Sequence, residues 1–404
     1  MGFCFGQEKL KQKDLATSSG ALGIVNHRPA LIIARTLCHI KLSMKNRTTF
    51  YTTAILVFIG ILAFGQSKDA EIKTFLDNLK PNDFSGAILV AHNDKVNEKR
   101  AFGLSSIEYD IENNAETKFN IASITKMFTS VSTLQLYEKE LLKLDVPIGK
   151  YLPDYPNKLV RDSVTIHQLL THTSGNNNEM KFWETNNMNF QNISDFALLF
   201  ENDTLLSKPG TKYDYSGSGF VILGLIIENI SGQNYYDYVK ENIFKPAGML
   251  NTSELEIDSV VKNKASGYTT FFGESEIPKR NDYYLTKASS AGFHYSTVDD
   301  LFKFSKALRN GTLLKKATAE LMFEPKVKGY NTNLGYGIDV DLRYDQTIQG
   351  HSGGWYGVHN ELMDFMKDNY TIVILSNIDD NGKTGASRVA DFFKILIADK
   401  QKER

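Results

Sequence analysis

Ser123 and Lys126 stand three residues apart, where the polar run 116–120 gives way to an apolar periodicity. Met127, Phe128, Val131, Leu134 and Tyr137 carry that periodicity, which continues to Leu141 and Leu142. On a helix this spacing puts the serine and lysine side chains on one face, a turn apart. The free N–H groups at a helix start favour an ionised hydroxyl. A lysine desolvated by burial can take up a proton. Together they make a serine nucleophilic without a histidine. Spacing alone does not decide, because Ser259 and Lys262 repeat it. That second copy lies among Glu254, Glu256, Asp258 and Lys264, and no apolar helix follows it.

Other residues could complete such a site. Tyr215 precedes Ser216, Gly217 and the apolar run 220–223, so its hydroxyl stands at the lip of a buried helix. A nearby ammonium that depressed its pKa would make it a general base; the plain alternative is one core or rim tyrosine among nineteen. Gly350-His351-Ser352-Gly353-Gly354 reads as a glycine-rich turn or strand entry. It also fits the Gly-x-Ser-x-Gly nucleophile elbow, but the segment after it is strand-like, and only His359 follows as a histidine. His167 and His172 are five apart with no acid between them, which is poor metal-ligand spacing. They read as a structural helix end, with Gly175 beyond it. No metal site is expected.

The elements that must hold these groups follow from periodicity. Residues 69–79 read as a helix stopped by Pro81, and residues 84–91 as a strand. Asn93-Asp94 is turn chemistry before a second strand near 99–104. Helices dominate 123–244. Period two returns at Tyr336, Ile338, Val340 and Leu342, and segments 358–366 and 370–376 read as strands. A last helix over 386–398 buries Val389, Phe392, Phe393 and Leu396. Strands at both ends with helices between predict an α/β chain of the α+β type. Its central antiparallel sheet would be built from N- and C-terminal segments, flanked by helices and carrying a mostly helical subdomain.

The chain has 404 residues, 42% hydrophobic and 23% charged, with net charge −1, which argues against a nucleic-acid partner. Met44, Lys45 and Arg47 precede an apolar run, 51–64, and the small residues Ala63 and Gly65 sit at signal-peptidase spacing. Residues 44–65 thus read as a signal peptide, or an anchor if uncleaved, and 1–43 as an upstream extension. Any membrane contact would come through that segment. The product would be exported, periplasmic or secreted. Removing 1–65 leaves 38 Lys/Arg against 45 Asp/Glu and takes away both cysteines, Cys4 and Cys38. The working domain, 69–400, would be held by its core and not by disulfides.

In this order the three motifs resemble the serine β-lactamase and penicillin-binding-protein superfamily, in its class C-like branch of esterases, peptidases and amidases. Ser123-Ile124-Thr125-Lys126 matches its Ser-x-x-Lys, Tyr215-Ser216-Gly217 its Tyr-x-Asn, and His351-Ser352-Gly353 its Lys/His-Thr/Ser-Gly strand. Segments 169–175, 291–297 and 334–337 are similar too. The resemblance implies a β-lactamase/transpeptidase-like fold and a serine hydrolase working through an acyl-enzyme. Ser123 would be the nucleophile, with Lys126 and Tyr215 sharing its proton. The backbone N–H groups of Ser123 and Gly354 would form the oxyanion hole. His351, Ser352, Gly353 and Gly217 would line the substrate site. No cofactor is implied, and the partner would be a small-molecule or peptide substrate; nothing in the pattern fixes an oligomeric state. Gly217 lacks the amide many relatives carry, and His351 replaces a permanent cation. Both changes weigh against β-lactam hydrolysis and D-alanyl carboxypeptidase action, and leave ester, amide or other peptide substrates. The alternatives are a penicillin-binding DD-peptidase or weak β-lactamase and, from another class, an inactive relative that only binds. Specificity is expected from loops 176–192 and 269–284.

Overall fold

The computed structural model describes residues 67–176, 190–256, 259–269, 279–280, 287–379 and 385–398. The expected extension and signal segment, and most of the two expected specificity loops, lie outside them. The chain divides into two units, Met1–Glu71 and Ile72–Arg404; the second carries the fold.

Helix α1 (Lys68–Asn78) buries Ile72 and Leu76. Strands β1 (Gly86–His92) and β2 (Lys95–Phe102) form a hairpin whose turn, Asn93-Asp94, has φ of 50° and 58°. Left-handed values at both central residues match a turn that keeps the natural strand twist. A long helical insertion follows. Its centre is α2 (Thr125–Glu138), where Met127, Phe128, Val131 and Leu134 are buried, whereas Tyr137 and Leu141 from the same periodicity are exposed. Beside it stand α3 (Ile166–Leu170) and α4 (Gly217–Ser231). Beyond the expected helical stretch come two more helices, α5 (Val298–Arg309) and α6 (Lys316–Phe323). In α5 Thr297 caps the N-terminus by accepting the N–H of Asp300, and Asp299 and Asp300 suit its positive end.

The chain then returns to the sheet through β3 (Val327–Lys328), β4 (Asn333–Leu334), β5 (Asp339–Asp341), β6 (Ile348–Trp355), β7 (Val358–Phe365) and β8 (Tyr370–Ser376), and closes with α7 (Ala386–Ile397). The alternation at Tyr336, Ile338, Val340 and Leu342 yields only the short β5, because Gly337 turns the chain at φ 64°. The eight strands run β2-β1-β8-β7-β6-β5-β4-β3, antiparallel throughout. The sheet is therefore the mixed-terminus antiparallel sheet expected, with the helical insertion between its halves.

Period two splits the strands between two cores. Ile88, Val90, Ile372 and Ile374 face Ile72, Leu76, Val389 and Phe393, while Ala87, Leu89, Val373 and Leu375 face the helical insertion. Each fully buried aliphatic or aromatic side chain here contributes roughly 1.5–3 kcal/mol. Strand β6 lies inside the sheet, between β5 and β7. Strand β5 covers only Ile348–Gly350, however, so residues 351–355 pair with β7 alone and keep one side open.

Candidate active site

Ser123 lies in a one-turn 3-10 helix, Ala122–Ile124, that runs directly into α2. The residue before it, Ala122, has φ 43°, and its N–H is held by the side chain of Asn120 at 2.9 Å. Nine non-glycine residues adopt positive φ among the described residues. Six are Asn, Asp or Glu, and the other three are Ala122, His172 and Phe293. Such conformations cost of order 1–3 kcal/mol and persist where the surroundings impose them. All three adjoin Ser123 or its partners.

Lys126 Nζ stands 3.1 Å from Ser123 Oγ and donates to the carbonyl of Ala291 at 2.6 Å. Burial pulls its pKa down to about 7. As the free amine, Lys126 gives one N–H to Ala291 and can turn its lone pair to the Ser123 hydroxyl. The Ala291 carbonyl therefore aims the lysine, and no sequence pattern pointed to it.

Tyr215 hydrogen-bonds Ser123, and its ring lies under Lys126 Nζ, 5.0 Å from the ring centroid. Its phenol is not depressed, as the sequence reading required of a base. Burial pushes it well above its ordinary value, with Asp339 adding to the rise. Tyr215 is a neutral acid at rest, and the depressed base of the pair is Lys126. Asp339, opposite Gly350 in the β5–β6 register, is itself pushed up to about 7 by burial and then by Glu361.

His172 closes this cluster. Helix α3 ends with Thr171 as its cap and His172 in the left-handed position beyond, φ 55°. The N–H of His172 reaches the carbonyl of Leu169, and that of Thr173 the carbonyl of Gln168. These two bonds define a Schellman end. The residue that turns the chain is His172 and not Gly175. Nδ1 of His172 accepts the N–H of Ser216 at 3.0 Å, so in the neutral ring the proton sits on Nε2. Its ring stacks on Tyr215 at 4.4 Å and on Phe220 at 5.0 Å. Burial, then Lys126 and His351, hold its pKa well below 6.5. It is a neutral platform that positions Tyr215. His167 stands apart, bonded to the Tyr336 hydroxyl at 2.9 Å.

Strand β6 passes in front of Ser123. A side chain on Gly353 would meet the Ile121 carbonyl at 2.3 Å and the Ser123 nitrogen at 3.3 Å, so only glycine lets the strand come this close. Gly354 faces open space. His351 is buried on the Gly353 side of the strand, its Nδ1 bonded to the Ser352 carbonyl. Burial and the nearby Lys126 pull its pKa down to about 4, so it carries no charge near neutrality. Ser352 alternates to the other side and is exposed. Gly217 opens α4, two residues past Tyr215, and offers no side chain. The fold thus brings Ser123, Lys126, Tyr215, His351 and Gly353 together, with Gly354 next along the strand. The Ser259 copy has no helix, and Val260 within it is fully exposed.

Among the described residues no cluster of His, Cys, Asp and Glu could hold a metal ion. Nor is any described helix long and apolar enough to cross a membrane.

A sequence model of the Beta-lactamase family matches residues 79–391. A protein described as "Putative penicillin-binding protein PbpX", from Bacillus subtilis (strain 168), is 32% identical over 314 residues, covering 76% of this chain and 74% of that protein. A penicillin binding protein from Bacillus halodurans superposes with TM-score 0.70 at 29% identity, over 78% of this chain and 97% of that one. D-amino acid amidase from Ochrobactrum anthropi shares the fold at TM-score 0.70 and 21% identity, over 82% and 99%.

Proposed function

Because the chain belongs to the β-lactamase family, in which penicillin-binding proteins are its relatives, we propose that it is an exported serine hydrolase. Its substrate would be an ester, amide or peptide, cleaved through an acyl-enzyme on Ser123. The observation that carries this reading is the 3.1 Å contact between Ser123 Oγ and a lysine whose pKa burial brings to about 7. A base poised near the working pH combines a deprotonated population with useful driving force.

The proposed steps use these groups in turn. Ser123 Oγ attacks the carbonyl carbon while its proton passes to the Lys126 amine. The oxyanion is met by the N–H groups of Ser123 and Gly354. As the tetrahedral intermediate collapses, the bond to the leaving oxygen or nitrogen breaks, and Tyr215, recharged by Lys126, protonates it. Water then adds to the acyl carbon and returns the proton, freeing the acid and Ser123.

Two observations favour an uncharged ester, amide or peptide over the penicillin-type alternative. His351 is neutral where a substrate carboxylate would want a cation, and Gly217 supplies no amide. With an activated neutral ester we expect a burst equal to the enzyme concentration, followed by slower turnover, and neither in Ser123→Ala. A fluorescent penicillin should label the protein far more slowly than the ester acylates it. Faster penicillin labelling would favour the DD-peptidase reading, and Ser123-independent turnover would end the nucleophile assignment. Export is proposed from the 44–65 segment alone and is checked by the N-terminus of the mature protein.

A further inference from the structure

Along β6 the nucleophile stands between two unlike ends. Toward His351 lie the groups that handle a proton, Lys126, Tyr215 and the supporting His172, with His351 in electrostatic reach of Lys126 and His172. Toward Trp355 the surface is aromatic. The ring of Phe293 meets Trp355 edge-on at 5.2 Å, and Trp355 meets Tyr356 at 5.5 Å. All three side chains are half-buried, in contrast to the core aromatics.

Phe293 is held in place against its own preference. Its φ of 77° is an outlier for a bulky side chain. The strain is sustained by bonds to the nucleophile's own turn: the Phe293 N–H reaches the Ala122 carbonyl at 3.2 Å, and the Ile121 N–H reaches the His294 carbonyl at 2.8 Å. The same loop supplies the Ala291 carbonyl that aims Lys126. A large apolar ring kept half-exposed, in strained backbone, one bond from the nucleophile's turn adds little to the core. It is placed to meet a ligand.

The direction is set by the chemistry. A leaving group must lie beside its proton donor, at the Tyr215 end, so the acyl portion extends the other way. At about 3.3 Å per strand residue, Trp355 lies roughly 7 Å beyond Gly353, the reach of a short acyl chain ending in a ring. We propose that Phe293, Trp355 and Tyr356 form the binding wall for an aromatic or bulky apolar group on the acyl side of the substrate. This inference rests on Ser123 being the nucleophile.

The test holds the leaving group constant and varies the acyl group: p-nitrophenyl acetate, butyrate and 3-phenylpropionate, each rate corrected for the ester's intrinsic reactivity. The native enzyme should favour phenylpropionate over acetate by about tenfold or more in kcat/KM. Trp355→Ala and Phe293→Gly, the latter keeping the positive φ accessible, should bring the ratio to about one. Trp355→Phe should restore most of it. A ratio near one in the native enzyme, or one unchanged in both variants, overturns the wall. Because the readout is a ratio within each protein, partial loss of folded enzyme does not alter it. Ser123→Ala separates the two claims: turnover that survives it removes the nucleophile reading, whereas Ser123-dependent turnover with a flat ratio removes only the wall.

Discussion

At the scale of single residues, the site depends on which group gives up its charge. Lys126 and Tyr215 are both desolvated, and desolvation drives both toward neutrality, the lysine by losing its proton and the tyrosine by keeping one. Catalysis should then need deprotonated Lys126. For a neutral ester, kcat/KM should rise with pH and level off, with a midpoint near 7. Lys126→Met should lower it by roughly 10²–10⁴-fold and remove that limb. A profile flat from pH 5 to 9 in the native enzyme would contradict the assignment. The Ser123–Lys126 contact was legible in the sequence because it is local: one helical turn sets it. The order of acidity was not, because burial is decided by residues far along the chain, such as Phe220 and Ala291.

At the scale of elements, the site is an approach of two backbones, the turn carrying Ser123 and strand β6. Gly353 permits it. Gly353→Ala would put a methyl 2.3 Å from the Ile121 carbonyl, so strand or turn must move. Overpacking of this kind costs about 1–3 kcal/mol and should displace the Ser123 amide, lowering kcat by about 10²-fold or more. Gly354→Ala, whose methyl would meet nothing within 4 Å, should leave Tm unchanged. Equal Tm losses in the two variants would refute the close-approach argument. The motif around His351 told of this strand through its resemblance, not through its own pattern, since five of the eight residues of β6 are Gly, Ser or His. The sequence also pointed to Gly175 as the helix end, and the structure gives that turn to His172. A glycine is the ordinary candidate for a left-handed residue, and nothing local announces a histidine bonded to Ser216, 44 positions away.

At the scale of the whole molecule, the helical insertion encloses a basic side chain without a hydrogen-bond partner. His294 is buried among Phe128, Tyr235 and Phe244, and neither ring nitrogen has a hydrogen-bond partner among the described residues. Burial holds its pKa to about 3, against an ordinary 6.5. The unfolded chain therefore takes up this proton below pH 6.5, while the folded protein resists until about 3. Stability from this group is present above pH 6.5 and is lost as pH falls through that window, by about 1.4 kcal/mol per pH unit. His351 adds to the same window down to about 4. His294→Phe suits the aromatic surroundings and should remove one proton's share of the slope in urea unfolding between pH 6 and 4.5. An unchanged slope would show that His294 is not buried neutral. The antiparallel sheet was legible as strand-like segments at both ends of the chain, whereas its two cores appear only in the fold. Helices α5 and α6 lie beyond the helical stretch expected from the sequence, although the apolar spacing of Val298, Leu301, Phe304 and Leu308 is helical.

The central claim is that Ser123 becomes acylated, and it can be weighed directly. The protein is mixed with an activated ester, quenched in acid at the end of the burst, measured by intact mass and mapped by proteolysis. One acyl group per chain, on Ser123, forming faster as pH rises through 7 and missing in Ser123→Ala, is the predicted result. An acyl group on Ser352 or any other residue, or none despite turnover, would contradict it.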